Sequence, residues 1–267
     1  MSTKISKEDL KTPDQVTKTL RQGFVWTTGH SQLVLGAIAA FIVLGAGWSL
    51  WSYMSEKKEV SQQEKYFLIE KAYNEKKRGF DEAVRAELMA ATAKDKTKAP
   101  PVDASKKASG DMQKDYGTVL ADFEALIASA PNTTAAQMAA LNVSEIYSNY
   151  GKNDEALAAL DKVTKGLGSS DAVSALVWMQ AGNILANKAD CKAAVDKWQN
   201  IVNSKALAFA QDEAKLRMGL CFETMNDLAK AEELYTQVSK KEDATADFAA
   251  AREAQKYLRL LKAKKNL

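Results

Sequence analysis

The chain has 267 residues, of which 46% are hydrophobic and only 8% aromatic, with 37 basic against 34 acidic side chains. That length allows one or two domains beside any membrane segment, and the Ala-, Lys- and Glu-rich mix favours packed helices over β-sandwich cores. A net charge of +3 gives no basic stripe for nucleic acid.

The only histidine is His30, so the chain beyond it has no Ser-His-Asp or Cys-His arrangement and no His-ligated metal. There is no phosphate-cradling Gly-rich loop, no H-E-x-x-H and no paired C-x-x-C. The many carboxylates lie beside lysines at helical spacing, as on a solvated face. The expectation is a protein that is not an enzyme, with no cofactor, no metal, no nucleic acid and no small-molecule substrate.

Residues 1–31 read as a polar N-terminal tail and 32–54 as a transmembrane helix. Leu33 to Trp51 carries no charge. At about 1.5 Å per residue it spans about 28 Å, close to the ~30 Å hydrocarbon core of a bilayer. Phe24 and Trp26 precede it, and Trp48, Trp51 and Tyr53 close it, where interfacial aromatics belong. A cleaved signal peptide would have a shorter apolar region ending at a small-residue site, so an uncleaved lipid-embedded anchor is expected. Gly36 and Ala40 form a small-xxx-small pair through which another membrane helix can approach. Lys4, Lys7, Lys11, Lys18 and Arg21 before the span face Lys57, Lys58, Lys65 and Lys71 after it, a slight bias toward a cytoplasmic N-terminus.

Residues 55–94 form a charged helical segment with Tyr66, Ile69, Tyr73, Phe80, Val84 and Leu88 at 3–4 spacing and a possible break at Gly79. Residues 95–110, with Pro100, Pro101 and several lysines, read as a flexible linker.

The region 111–267 repeats itself. GKNDEALAAL (151–160), ADCKAAVDKW (189–198) and NDLAKAEELY (226–235) align on Ala156, Ala194 and Ala231, spaced by 38 and 37. Four residues after each alanine stands a large side chain, Leu160, Trp198 or Tyr235, and three further on Val163, Ile201 or Val238. The preceding helices carry Trp178, Gly182 and Leu185, then Gly219 and Phe222, while the first has Tyr147 with Ser144 in the glycine position. These are the large-small-large positions of a tetratricopeptide (TPR) hairpin, in which the small residue lets helix A lie on helix B. Tyr116, Val119, Phe123 and Leu126, ending at Pro131, read as the second helix of a degenerate earlier unit, and 248–265 as a capping helix whose Tyr257, Leu258 and Leu261 cover the last repeat. The fold class is therefore all-α: a single N-terminal transmembrane helix followed by a TPR-like α-solenoid of helical hairpins.

In this register Cys191 opens helix B of the second unit and Cys221 closes helix A of the third. Those helices run antiparallel, so the two ends meet and an inter-repeat disulfide, with an oxidising compartment, is one reading. Two buried free cysteines acting as small hydrophobes are the other. The A-helix faces would form a partner groove lined by Asn142, Tyr150, Asn183 and Asn187, for which simple solvent exposure is the plainer account.

Asp14-Gln15-Val16 in the tail and Gly47-Trp48-Ser49-Leu50-Trp51 at the end of the span, together with the tail, anchor and repeat order, resemble the YfgM-type ancillary subunits of the SecYEG translocon. The resemblance implies a bacterial inner-membrane protein with a cytoplasmic N-terminus and a periplasmic C-terminal domain, whose partners are translocon subunits and periplasmic chaperones. The Lys/Pro connector and the cysteine pair depart from that pattern. A structural scaffold part of a large secretion or motility machine is the alternative function.

Peptide mapping without reductant should recover a Cys191–Cys221 linked pair that separates on reduction. Two free thiols recovered from native membranes would remove the case for an oxidising compartment.

Overall fold

The computed structural model describes residues 15–92, 103–240 and 247–265, which contain ten α-helices and no strand. The chain divides into two compact units, Met1–Lys58 and Glu59–Leu267.

In the first unit the expected polar tail is helical from Gln15: α1 (Gln15–Gly29) ends one residue before α2 (Ser31–Thr92) begins. The His30 ring stacks on Trp26 at 5.0 Å. Lys4, Lys7, Lys11 and Asp14 of the expected tail lie outside the described residues. The N-terminal part of α2 is long and apolar enough to cross a membrane, with a mean hydropathy of 2.2 and none of that stretch buried. Nothing stands within 4 Å of a Cβ placed on Gly36.

The expected break at Gly79 does not occur, because α2 runs unbroken to Thr92. One glycine costs a helix only about 1 kcal/mol, and the strong helix formers around it outweigh that.

In the second unit this part of α2 is no detached charged segment. Tyr66 and Tyr73 are buried in one core with Phe123 of α3 (Met112–Ser129). Their rings lie 6.0 Å from the Phe123 ring. Glu59 accepts a hydrogen bond from the Thr134 N–H at 3.0 Å, at the start of α4 (Thr134–Asn149), where an anion complements the helix dipole. The 59–92 part of α2 thus packs on α3 through its aromatic side chains. The expected stripe stops short, since Val84 and Leu88 are exposed.

The second half of the expected linker is also structured, while 93–102 lie outside the described residues. Ala104–Lys106 form a 3-10 turn capped by Asp103. Lys106 pairs with Glu82 at 3.0 Å and Lys107 with Glu87 at 2.7 Å, strapping the turn onto α2.

Three hairpins follow: α4 with α5 (Asn153–Asp161), α6 (Ala172–Asn187) with α7 (Cys191–Val202), and α8 (Ala208–Thr224) with α9 (Leu228–Ser239), closed by α10 (Phe248–Lys265). Ala156, Ala194 and Ala231 are wholly buried at the hairpin crossings. Glycine is required where the second helix carries a ring: a Cβ on Gly182 would overlap the Trp198 indole, and one on Gly219 the Tyr235 ring. Both rings have their polar tips satisfied, Trp198 Nε1 donating to the Met179 carbonyl at 3.3 Å and Tyr235 to Glu223 at 2.7 Å. Trp178 is half-buried against the α6–α8 core. Tyr257 stacks on Tyr235 at 5.7 Å and Leu261 is fully buried, so α10 caps the last repeat.

The three hairpin turns repeat one motif. Lys152 N–H donates to Tyr147 O at 2.9 Å, Asp190 to Leu185 at 2.9 Å and Asp227 to Phe222 at 2.8 Å. The residue before each donor has left-handed backbone: Gly151 at φ 74°, Ala189 at 63° and Asn226 at 61°. Such a helix ending favours glycine and tolerates asparagine, whereas alanine is strained by its Cβ. Ala189→Gly should therefore raise stability by about 1 kcal/mol, read as a higher melting temperature with the helix content unchanged.

Candidate functional site

The four residues expected to line a groove separate into two pairs. Asn142 donates to the Tyr66 hydroxyl at 3.1 Å, so α2 already occupies it. Tyr150 donates to Asp115 Oδ2 at 2.7 Å and packs edge-on against Tyr116. These two belong to the fold, because partners distant in sequence consume their polar groups.

Asp115 is buried at the start of α3. Burial alone would raise its pKa, but N–H groups of Ser109 and Gly110, the Ser109 side chain and the Tyr150 hydroxyl hold the carboxyl below the usual carboxylate range. Burial and the Asp115 carboxylate push the Tyr150 phenol upward. Tyr147, desolvated and donating to Glu124 at 2.8 Å, is pushed up to about 12.

Asn183 and Asn187 line a cavity of about 440 Å³ between α6 and α8. It is also lined by Trp198, Leu220, Cys191, Cys221, Arg217 and Thr224. The structure pairs Cys191 with Cys221, Cα atoms 5.1 Å apart and 30 residues apart in sequence. The pair joins the first turn of α7 to the last turns of α8. Closing such a loop stabilises on the order of 3–4 kcal/mol in the chain-entropy account.

Two buried atoms at this cavity lack a hydrogen-bond partner among the described residues: Asn183 Oδ1, an acceptor, and Arg217 Nε, a donor. Arg217 keeps one ion pair, to Glu213 a turn earlier at 2.5 Å. A second cavity of about 550 Å³ lies between α8 and α10, lined by Glu223, Tyr257, Leu260 and Lys264, and it shares Leu220 and Thr224 with the first. Arg217 is not among the residues expected from the sequence to line a groove, and Tyr257 is expected there only as a capping residue. Arg217 sits on the same helix face two repeats after Asn142, and that offset was its signal. Among the described residues no group of three or more His, Cys, Asp or Glu is placed to hold a metal.

No protein-family model matches the chain, and no curated protein matches its sequence. Among solved structures, MamA is similar over 60% of this chain and 95% of its own, at 20% identity and a TM-score of 0.40. A putative kinesin light chain of Podosopora anserina with nearly identical TPR-like repeats is similar over 58% of this chain and 90% of its own, at 15% identity and 0.41. A further MamA structure gives 59% and 88%, at 18% identity and 0.38. At that level of likeness, the TPR-like assignment rests on the chain's own helix register.

Asp115→Asn should destabilise the repeat unit by roughly 2 kcal/mol at neutral pH, through the loss of its charged hydrogen bonds. The folded pKa is depressed, so this contribution is present above the ordinary value of 3.8 and is lost as pH falls toward the folded value. Melting curves of wild type and variant should therefore converge in acid. A gap that persists unchanged at low pH would contradict this role.

Proposed function

We infer that the chain is a membrane-anchored protein–protein interaction module rather than an enzyme, its apolar helix holding a TPR-like stack that receives partner proteins along the A-helix side. The observation that carries this reading is the pair of adjoining cavities on α6, α8 and α10, the first of which is lined by two residues with buried polar atoms that lack a partner among the described residues. Stacked repeats characteristically bind polypeptide on the surface lined by their first helices. The YfgM-like tail and span favour a place beside the protein translocon or periplasmic chaperones in the bacterial inner membrane. The bridged cysteines support an oxidising compartment for the repeat unit, hence a periplasmic C-terminal side and a cytoplasmic N-terminus. Gly36 and Ala40 would then meet a partner's membrane helix.

Photoactivatable residues at Asn187, Leu176 and Gly36, illuminated in native membranes, test this. The expected result is protein adducts of translocon subunits or envelope chaperones from the repeat positions. Lipid and self-crosslinks alone would overturn the interaction reading. Adducts confined to a large symmetric assembly would instead assign the chain to a structural scaffold of an envelope machine.

A further inference from the structure

We propose that the outward face of α10 docks on anionic phospholipid headgroups of the bilayer that holds the chain's own apolar span. This rests on the membrane-anchored reading and goes beyond it by giving the repeat unit a second, electrostatic attachment through its last described helix.

The first argument is where the charge lies. Six of the 37 basic residues but only one of the 34 acidic residues fall in α10, so the rest of the chain has 31 against 33. The net positive charge of the whole chain thus sits in one helix of 18 residues. The helix dipole accounts for cations in the last turns. It does not account for Arg252 in the second turn or Lys256 near the middle.

The second argument is the face those cations occupy. Ala250, Ala254 and Leu261 are buried against the last repeat. At about 3.6 residues per turn, Arg252, Lys256, Arg259 and Lys262 lie on the opposite side. All four are exposed, and among the described residues none is ion-paired. Between the other helices the chain neutralises its own cations, as in Lys77–Glu145, Lys188–Asp154 and Lys197–Asp161. The α10 face has no such internal match, so its complement is an external anion.

The third argument is which anion. Arg252, Lys256, Arg259 and Leu260 border a recess of about 500 Å³. Guanidinium forks and an ammonium suit the oxygens of a phosphodiester. Phe248, 78% exposed, stands at the N-terminal end of this face, and Leu260, 53% exposed, at its flank. Apolar side chains beside cations match the boundary between headgroups and acyl chains. An acidic polypeptide would also meet the charge, but the bilayer is the anionic surface to which the chain is tethered. Seven residues separate Trp51 from Glu59, at most about 30 Å of chain. Such a tether keeps the local concentration of headgroups high around the repeat unit.

The test places a dansyl amino acid at Ala263, exposed on this face, in the full chain reconstituted into nanodiscs with spin-labelled headgroups as quencher. Discs of phosphatidylcholine alone are compared with discs that also contain phosphatidylglycerol. Quenching should be several-fold greater in the anionic discs. It should fall to the neutral level at about 1 M salt, where the Debye length is about 3 Å. Each cation near an anionic surface adds roughly fivefold to binding, so Arg252→Gln, Lys256→Gln and Arg259→Gln combined should abolish the effect. The melting temperature should not change, because all three side chains are exposed. Lys162→Gln, Lys165→Gln and Lys192→Gln combined, the same loss of charge placed elsewhere on the surface, should leave the quenching intact. Equal quenching in neutral and anionic discs, none in either, or equal loss in both triple variants would overturn the proposal. So would a dansyl response to added polyglutamate but not to anionic lipid, which would assign the face to an acidic protein. A chain that failed to enter the discs would remove the anchor reading and this proposal together. One that entered without quenching would remove this proposal alone.

Discussion

The repeat unit depends on one steric fit, a small residue on the first helix of a hairpin meeting a large one on the second. Gly182 receives the Trp198 indole and Gly219 the Tyr235 ring, with no room for a Cβ at either glycine. Where the second helix carries the smaller Leu160, serine is accommodated at 144, and both residues are buried. Interior packing at crystal-like density makes such pairs interdependent, so they are matched in size repeat by repeat. Once the crossing is set, the chain must reverse at a fixed point, which places the left-handed residue at Gly151, Ala189 and Asn226. It also places Cys191, on the first turn after the reversal, against Cys221, two residues past Gly219.

Much of this could be read in advance because the signal is local. Alanine, the large residue four positions on, and the small residue of the previous helix all fall within one hairpin, and their recurrence fixes the register. The register in turn brings Cys191 and Cys221 together, with a disulfide as one of its two readings. The packing of α2 on α3 is less legible. That part of α2 is charged and much of it exposed, so its sequence reads only as a charged helical segment with Tyr66 and Tyr73 in an apolar spacing. Their partners, Tyr116 and Phe123, lie beyond the Lys/Pro connector, and no local pattern joins them.

The groove residues show the same limit. A helical asparagine or tyrosine is equally consistent with a binding surface and with an internal hydrogen bond. For Asn142 and Tyr150 the choice is made by partners 76 and 35 positions away in sequence. Composition and spacing say nothing about such pairs. Arg217 illustrates the converse: nothing in its local sequence sets it apart from other helix cations, yet its Nε is buried beside a cavity without a partner among the described residues.

The two junctions differ in what stabilises them. Between α2 and α4 the chain uses aromatic rings, a hydroxyl–amide bond and the Lys77–Glu145 pair, and little is left for an external group. Between α6 and α8 the core keeps the Trp178 and Trp198 rings, but its cavity carries two hydrogen-bonding atoms without a partner among the described residues, an unfavourable element of the order of 1–3 kcal/mol each. A stack of repeats is only as stable as its nearest-neighbour interfaces, so one weak interface would let the last repeats open as a separate unit. The Cys191–Cys221 bridge lies at this same junction and joins the second hairpin to the third covalently. Its contribution, on the order of 3–4 kcal/mol, is of the size needed to offset what the open cavity gives up. The disulfide thus has a specific place in the structure: it holds together an interface whose own side chains leave a cavity of about 440 Å³.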